Sequence, residues 1–283
     1  MSLGRLSYIT QSEGKMKKIG FIGCGKMASA IIKGLINTGF AAPSQILATQ
    51  IDEKGLEEKS KELSIEILLD NKALAQRVDV IFLAVKPNQI VAVLEEIKPY
   101  VTSEKLVVSI AAGISTKKLA ENLPLNSRII RVMPNTPALV GEGMSAIFGG
   151  DFAMQNDVEY VQSLLSSIGK CIILESESQM DIVTAISGSG PAFFYKVIND
   201  IARAGEKLGM EYEKALLLSI QTAIGSAKMA LNRDISMEEL VSNVATKGGC
   251  TRVGVDVMEE KNIDNIFDEV IAKTSQKAHE LGE

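Results

Sequence analysis

The chain has 283 residues, of which 46% are hydrophobic and 23% charged, with 5% aromatic, no Trp and a net charge of −5. That length accommodates two ordinary globular domains with aliphatic cores, and the acidic balance without a basic, aromatic-studded patch argues against a nucleic-acid partner. Cys24, Cys171 and Cys250 are scattered and odd in number, and His279 is the single histidine, which excludes a disulfide framework, a zinc spacing and a Ser-His-Asp triad. No metal site is expected, a reducing cytoplasmic setting is, and the chemistry should rest on a bound cofactor.

Residues 1–15 are polar and lack the apolar run of a signal peptide, so they read as an arm or leader. A short apolar strand follows at 18–22, a helix at 28–36, a strand at 45–49, a helix at 55–63, a weak strand at 65–68 and a short helix at 71–77. Residues 78–85 form a near-continuous apolar run, as in a strand buried on both faces. A helix at 89–97 and strands at 106–110 and 129–133 continue the alternation. It predicts a parallel, doubly wound sheet with helices on both sides.

The pattern changes near 176–179, dividing the chain into residues 16–178 and 179–283. Beyond that point only helices are expected. Phe194, Val197, Ile198, Ile201 and Leu208 repeat at helical spacing, and 213–231 is apolar nearly all round. Such a helix in a small domain calls for cover from a second subunit. It is also the nearest approach to a membrane span, and Gln221, Ser226 and Lys228 interrupt it. Helices at 235–244, 251–260 and 263–281 complete the second domain, with His279 in a mobile-looking amphipathic tail.

The first strand runs into GCGKMA at 23–28 and then directly into a helix, the context that gives a glycine fingerprint meaning. Gly23 permits the tight turn, Gly25 lets backbone approach a pyrophosphate, and Ala28 replaces the third glycine where helix and strand pack. Lys26 and Met27 complete this loop, and the phosphates would sit at the positive end of the helix. The fold class is therefore α/β, a Rossmann-type doubly wound sheet followed by an all-helical domain. At the end of the second strand, Thr49 and Gln50 are neutral hydrogen-bonding groups, while Asp52 and Lys54 come late. Neither the acid of an NAD site nor the Arg of an NADP site occupies the slot, so NADPH and NADH both remain open.

Four strings carry a more specific likeness: AVKP at 84–87, RVMPNTP at 131–137, SGSGPA at 187–192 and ATKGGCT at 245–251. In order and spacing, from about residue 16 to the C-terminus, they resemble the Δ1-pyrroline-5-carboxylate reductase family. Read by themselves, Val85, Lys86 and Pro87, and Met133, Pro134 and Asn135, follow buried strands and should emerge at the carboxyl edge of the sheet, where ligands of open α/β folds bind. The resemblance implies that these loops line the nicotinamide, and that Asn71 lies near the adenosine ribose. The string at 187–191 reads as a packing turn at a helix start rather than a substrate contact. Gly248 and Gly249 also precede a helix, whose free N–H groups suit an anion.

The resemblance further implies a substrate, pyrroline-5-carboxylate, whose carboxylate meets the N–H groups of Cys250 and Thr251. The Thr251 hydroxyl would bond the ring nitrogen, and Asn243 and Thr246 would border the pocket. Cys250 stands where a smaller Ala or Thr is usual, and no covalent role is assigned to it. A helical domain shared across a homodimer, with a decamer of five dimers as a further assembly, is implied as well. The activity implied is hydride transfer from NAD(P)H to the C=N bond, giving L-proline. Two rivals remain: a 3-hydroxyacid dehydrogenase using Lys196 with Asn199, and a non-catalytic dinucleotide sensor on the same scaffold.

Overall fold

A computed structural model describes residues 17–52, 55–231 and 234–282; the arm expected at 1–15 lies outside them. Strand β1 (Ile19–Ile22) leads into α1 (Lys26–Asn37), β2 (Ile46–Thr49), α2 (Leu56–Leu63), β3 (Glu66–Leu68), α3 (Asn71–Arg77) and β4 (Val80–Leu83). Then come α4 (Ile90–Ile97), β5 (Leu106–Ser109), α5 (Thr116–Glu121), β6 (Arg128–Met133), β7 (Gly143–Gly149), α6 (Gln155–Leu165) and β8 (Gly169–Ile173). The strands form one sheet in the order β3-β2-β1-β4-β5-β6-β7-β8. Strand order reverses between β1 and β4, the switch point at which doubly wound folds bind ligands.

The apolar runs are buried on both faces because successive side chains point to opposite sides. Ile19, Phe21, Val80, Phe82, Leu106 and Val108 face a core built with α1 and α6. Ile22, Ile81, Leu83 and Val107 face a second core built with α3, α4 and α5. Phe21 and Phe82 stack across neighbouring strands with ring centroids 4.7 Å apart.

One departure from the expected parallel sheet occurs at β7, which pairs antiparallel with β6. The link between them is short and occupied by a 3-10 turn at Thr136–Val140, too little chain for the crossover that a parallel pairing needs. Elements α5, β7, α6 and β8 lie outside those expected from the sequence. Of these α6 was the most legible, since Val158, Val161, Leu164 and Leu165 fall on one buried helical face.

After β8 the chain is helical: α7 (Met180–Val183), a π-turn at Thr184–Gly188, α8 (Gly190–Lys207), α9 (Tyr212–Ala230), α10 (Met237–Val244), α11 (Cys250–Glu260) and α12 (Ile263–Glu280). Helix α9 is apolar but not enclosed by its own chain. Only Ala215 and Ser219 are buried, while Leu217 is 67% exposed. The C-terminal segment is no loose tail. Helix α12 packs along α7 and the π-turn, and His279 Nδ1 lies 3.1 Å from Asp181 Oδ2. No helix among the described residues is long and apolar enough to cross a membrane.

Several contacts join the helical segment to the sheet domain, and the Lys118 ammonium on α5 donates to the Gly282 carbonyl at 3.3 Å. Glu177 accepts from the Thr116 N–H (2.8 Å), the Thr116 hydroxyl (2.6 Å) and Arg131 Nη1 (3.0 Å). Asn135 Nδ2 donates to Ser187 Oγ at 3.3 Å, and a Cβ on Gly188 would lie 2.4 Å from the Met133 methyl. The SGSGPA turn is thus a close-packing surface beneath the sheet, as its glycines led us to expect.

Candidate active site

The carboxyl edge of β1, β2 and β4 opens on a cavity of about 470 Å³. Gly23, Cys24 and Gly25 form its floor; Thr49, Gln50, Ile51, Asp52 and Asn71 line one end, and Ala84, Val85 and Lys86 the other. A second cavity of about 270 Å³ shares Gly25, Val85 and Lys86, and continues past Lys26, Met27 and Pro87 to Ile110, Ala111 and Ala112. Together they make a trough across the switch point, from the end of β2 to the end of β5.

The trough fits a dinucleotide on three grounds. Gly23 has φ +94°, and a Cβ there would lie 2.7 Å from the Ala84 carbonyl, so the turn runs against neighbouring backbone as only glycine permits. Gly25 faces open space at the Ncap of α1, which has no side-chain cap and no acidic residue in its first turn. The first-turn N–H groups of α1 and the helix dipole are therefore available to a pyrophosphate. Lys26 and Lys86, both exposed, add positive charge along the same wall.

Most of the predicted cofactor residues come together here: Gly23, Gly25, Lys26, Met27, Thr49, Gln50, Asn71, Val85, Lys86 and Pro87. Thr49 is buried and accepts from the Gly23 N–H at 3.3 Å while donating to Asn71 Oδ1 at 2.6 Å. Met133, Pro134 and Asn135 line neither cavity. The Asn135 side chain is engaged within the chain, accepting from the Met144 N–H at 2.8 Å as well as donating to Ser187. Lys54 lies outside the described residues. Sequence reasoning missed Ile110, Ala111 and Ala112, although they directly follow β5, and it missed Cys24 as a lining residue. Burial pushes the Cys24 thiol up from its ordinary pKa, with Lys59 opposing, so it is a neutral wall group rather than a nucleophile.

The second predicted site lies on the helical segment. Gly248 has φ +79° and Gly249 is the Ncap of α11, again with no side-chain cap. Its turn is closed by the Gly249 N–H donating to the Thr246 carbonyl at 3.0 Å. Asn243, Thr246, Gly248 and Cys250 are exposed. Thr251 borders an apolar cavity of about 320 Å³ with Ser226, Met229, Leu240 and Val255. That cavity shares no residue with the trough, so the trough and the turn are separate features of one chain.

Lys196 does not resemble a positioned general acid or base. It is exposed and paired with Asp200 on its own helix, and Asn199 accepts from the Tyr212 hydroxyl at 2.8 Å.

Residues 177–281 match the family model described as pyrroline-5-carboxylate reductase dimerisation, and residues 18–113 match one described as NADP oxidoreductase, coenzyme F420-dependent. The pyrroline-5-carboxylate reductase of Methanosarcina acetivorans is 39% identical over 266 residues, covering 94% of this chain and 98% of that protein. The solved structure of a Coxiella burnetii pyrroline-5-carboxylate reductase superposes with a TM-score of 0.90 at 34% identity, over 95% of this chain and 100% of that one. A Plasmodium falciparum pyrroline carboxylate reductase solved with NADP bound gives 0.85 at 33% identity, over 94% and 98%. With such similarity over nearly its whole length, the chain belongs to the pyrroline-5-carboxylate reductase family.

Proposed function

We propose that the protein reduces Δ1-pyrroline-5-carboxylate to L-proline, the last step of making that amino acid, with NADPH or NADH as reductant. The observation that carries this reading is a pair of uncapped helix starts. One follows Gly23 at the sheet edge and the other follows Gly248, each turn having a left-handed glycine. Each offers free N–H groups to an anion, which suits the pyrophosphate of a dinucleotide in one case and the carboxylate of a small substrate in the other.

Reduced nicotinamide, when bound, supplies hydride to the ring carbon of the C=N bond. The chain's own groups orient the partners. The amides of Cys250 and Thr251 hold the carboxylate, the Thr251 hydroxyl holds the ring nitrogen, and Asn243, Thr246, Gly248 and Gly249 frame the turn. The nitrogen takes its proton from solution before the hydride arrives, so no residue need act as a strong acid. Proximity and orientation then account for most of the acceleration. At the trough, Met133, Pro134 and Asn135 act from behind the wall by fixing the end of β6.

Residues 16–178 form the cofactor unit and residues 179–283 the substrate and dimerisation unit. The trough and the cavity beside Thr251 share no lining residue within one chain, and a second copy brings the two sites together. The exposed Phe194, Ile201, Leu217, Leu218 and Met229 form the apolar face that it covers. A homodimer is the minimum assembly, and five dimers in a ring the larger one. Three free cysteines fit a reducing cytosol.

Thr251→Ala tests the substrate end. Turnover should fall about 10- to 100-fold, the worth of one hydrogen bond to a charged group, while cofactor affinity stays at the wild-type value. Full turnover in that variant would remove the role assigned to Thr251.

A further inference from the structure

The adenosine end of the trough holds a chain of hydrogen bonds that the cofactor motifs do not explain. The Gly23 N–H donates to Thr49 Oγ1, the Thr49 hydroxyl donates to Asn71 Oδ1 (2.6 Å), and Asn71 Nδ2 donates to Glu96 Oε2 (2.8 Å). Glu96 lies on α4, half-buried, one turn beyond Val93, which lines the cavity. Glu96 is not itself among the lining residues.

Each group in this chain has little choice of partner. A hydroxyl has one proton, and Thr49 gives it to Asn71 while accepting from Gly23. A carboxylate only accepts, so Glu96 types the facing atom of Asn71 as nitrogen. With oxygen held at one side and nitrogen at the other, the Asn71 amide has a single orientation. One of its two N–H groups goes to Glu96. The second remains on a residue that lines the cavity, where it can donate to a hydroxyl of the bound molecule. Without the carboxylate, rotation of the Thr49 hydroxyl would let the amide turn over and present its oxygen instead.

We propose that Glu96 is a positioning residue for the cofactor: it locks the Asn71 amide so that an N–H is presented to the adenosine ribose. This rests on reading the cavity as the adenosine end of a dinucleotide site. Glu96 touches no reacting atom, so its effect falls on cofactor binding and leaves the chemical step alone.

Steady-state kinetics of Glu96→Leu should show a cofactor KM raised about tenfold, with kcat at saturating cofactor within about twofold and the substrate KM unchanged. Glu96→Gln keeps an oxygen that can accept from Asn71 Nδ2 but can also turn its own amide to donate, so its cofactor KM should fall between those of Glu96→Leu and the wild type. Calorimetry with ADP-ribose and with its analogue lacking both adenosine-ribose hydroxyls separates the sources of any loss. Glu96→Leu should weaken ADP-ribose about tenfold and leave the dideoxy analogue unaffected. An unchanged cofactor KM in Glu96→Leu, or equal weakening of both ligands, overturns the assignment. Failure of the wild-type protein to bind ADP-ribose overturns the cavity reading itself, and the role of Glu96 with it.

Discussion

Replacing Gly23 with Ala is expected to abolish high-affinity dinucleotide binding, raising the dissociation constant at least about 100-fold, or about 2.8 kcal/mol. The new methyl would sit 2.7 Å from the Ala84 carbonyl oxygen and 2.9 Å from its carbon, both backbone atoms that cannot rotate away. The residue is also held at φ +94°, where a side chain costs roughly 1–2 kcal/mol before any contact is counted. Relief requires the ends of β1 and β4 to separate, and this is the seam across which the trough is built. The Gly23 N–H would leave Thr49, loosening Asn71 at the far end. Fluorescence titration with NADH and NADPH checks this, with circular dichroism reporting whether the fold persists. Wild-type affinity in a folded Gly23→Ala protein would mean that the dinucleotide binds elsewhere.

Glu177→Ala is expected to be among the most destabilising single changes in the chain, by about 3–5 kcal/mol, because it strands one half of a buried ion pair. Arg131 has only 8% of its side chain exposed, and Glu177 only 21%. The same carboxylate receives both polar hydrogens of Thr116 at the start of α5. Arg131 lies on β6 just before Met133 and Pro134, so loosening it also frees the end of the strand that backs the trough. Replacing the pair with apolar residues, as in Glu177→Leu with Arg131→Met, should recover much of the lost stability, since no charge is then left buried alone. Denaturant unfolding of the single and double variants measures this. A loss below about 1 kcal/mol in Glu177→Ala would place the carboxylate among weakly contributing surface charges.

The parts of the fold that could be read from sequence were those whose signal is local. β1, β2, β4 and β5 are short apolar runs buried on both faces, and their limits lie within a residue or two of the expected ones. The glycine turn was readable for the same reason, because strand, turn and helix are contiguous. β7 was not: its direction depends on how little chain separates it from β6, and periodicity carries no sign of direction. β8 was hidden by its half-exposed pattern in a single chain. The Ile110–Ala112 wall followed from the rule that ligands meet the carboxyl ends of strands, but it carries no polar residue to attract notice.

The candidate site divides along the same line. The phosphate cradle is one local motif, and its residues converge. Thr251 and the Gly248 turn are recognisable as a helix start suited to an anion, yet no local pattern says which surface they face. Asn135 shows the opposite case, in which a residue at the right edge of the sheet spends its side chain on Met144 and Ser187. Glu96 has no motif at all. Its place in the site depends on α3 and α4 lying side by side, which only the tertiary structure reveals.

A reductant in the trough and a small anionic imine at the Gly248 turn are expected to react with each other. The most direct measurement follows the near-ultraviolet absorbance of NADPH or NADH as pyrroline-5-carboxylate is added, with the amino acid produced quantified in parallel. One reduced cofactor consumed for each L-proline formed is the expected result. Firm binding of the dinucleotide with no loss of absorbance, or consumption supported by a 3-hydroxyacid pair instead, would rule out imine reduction by this protein.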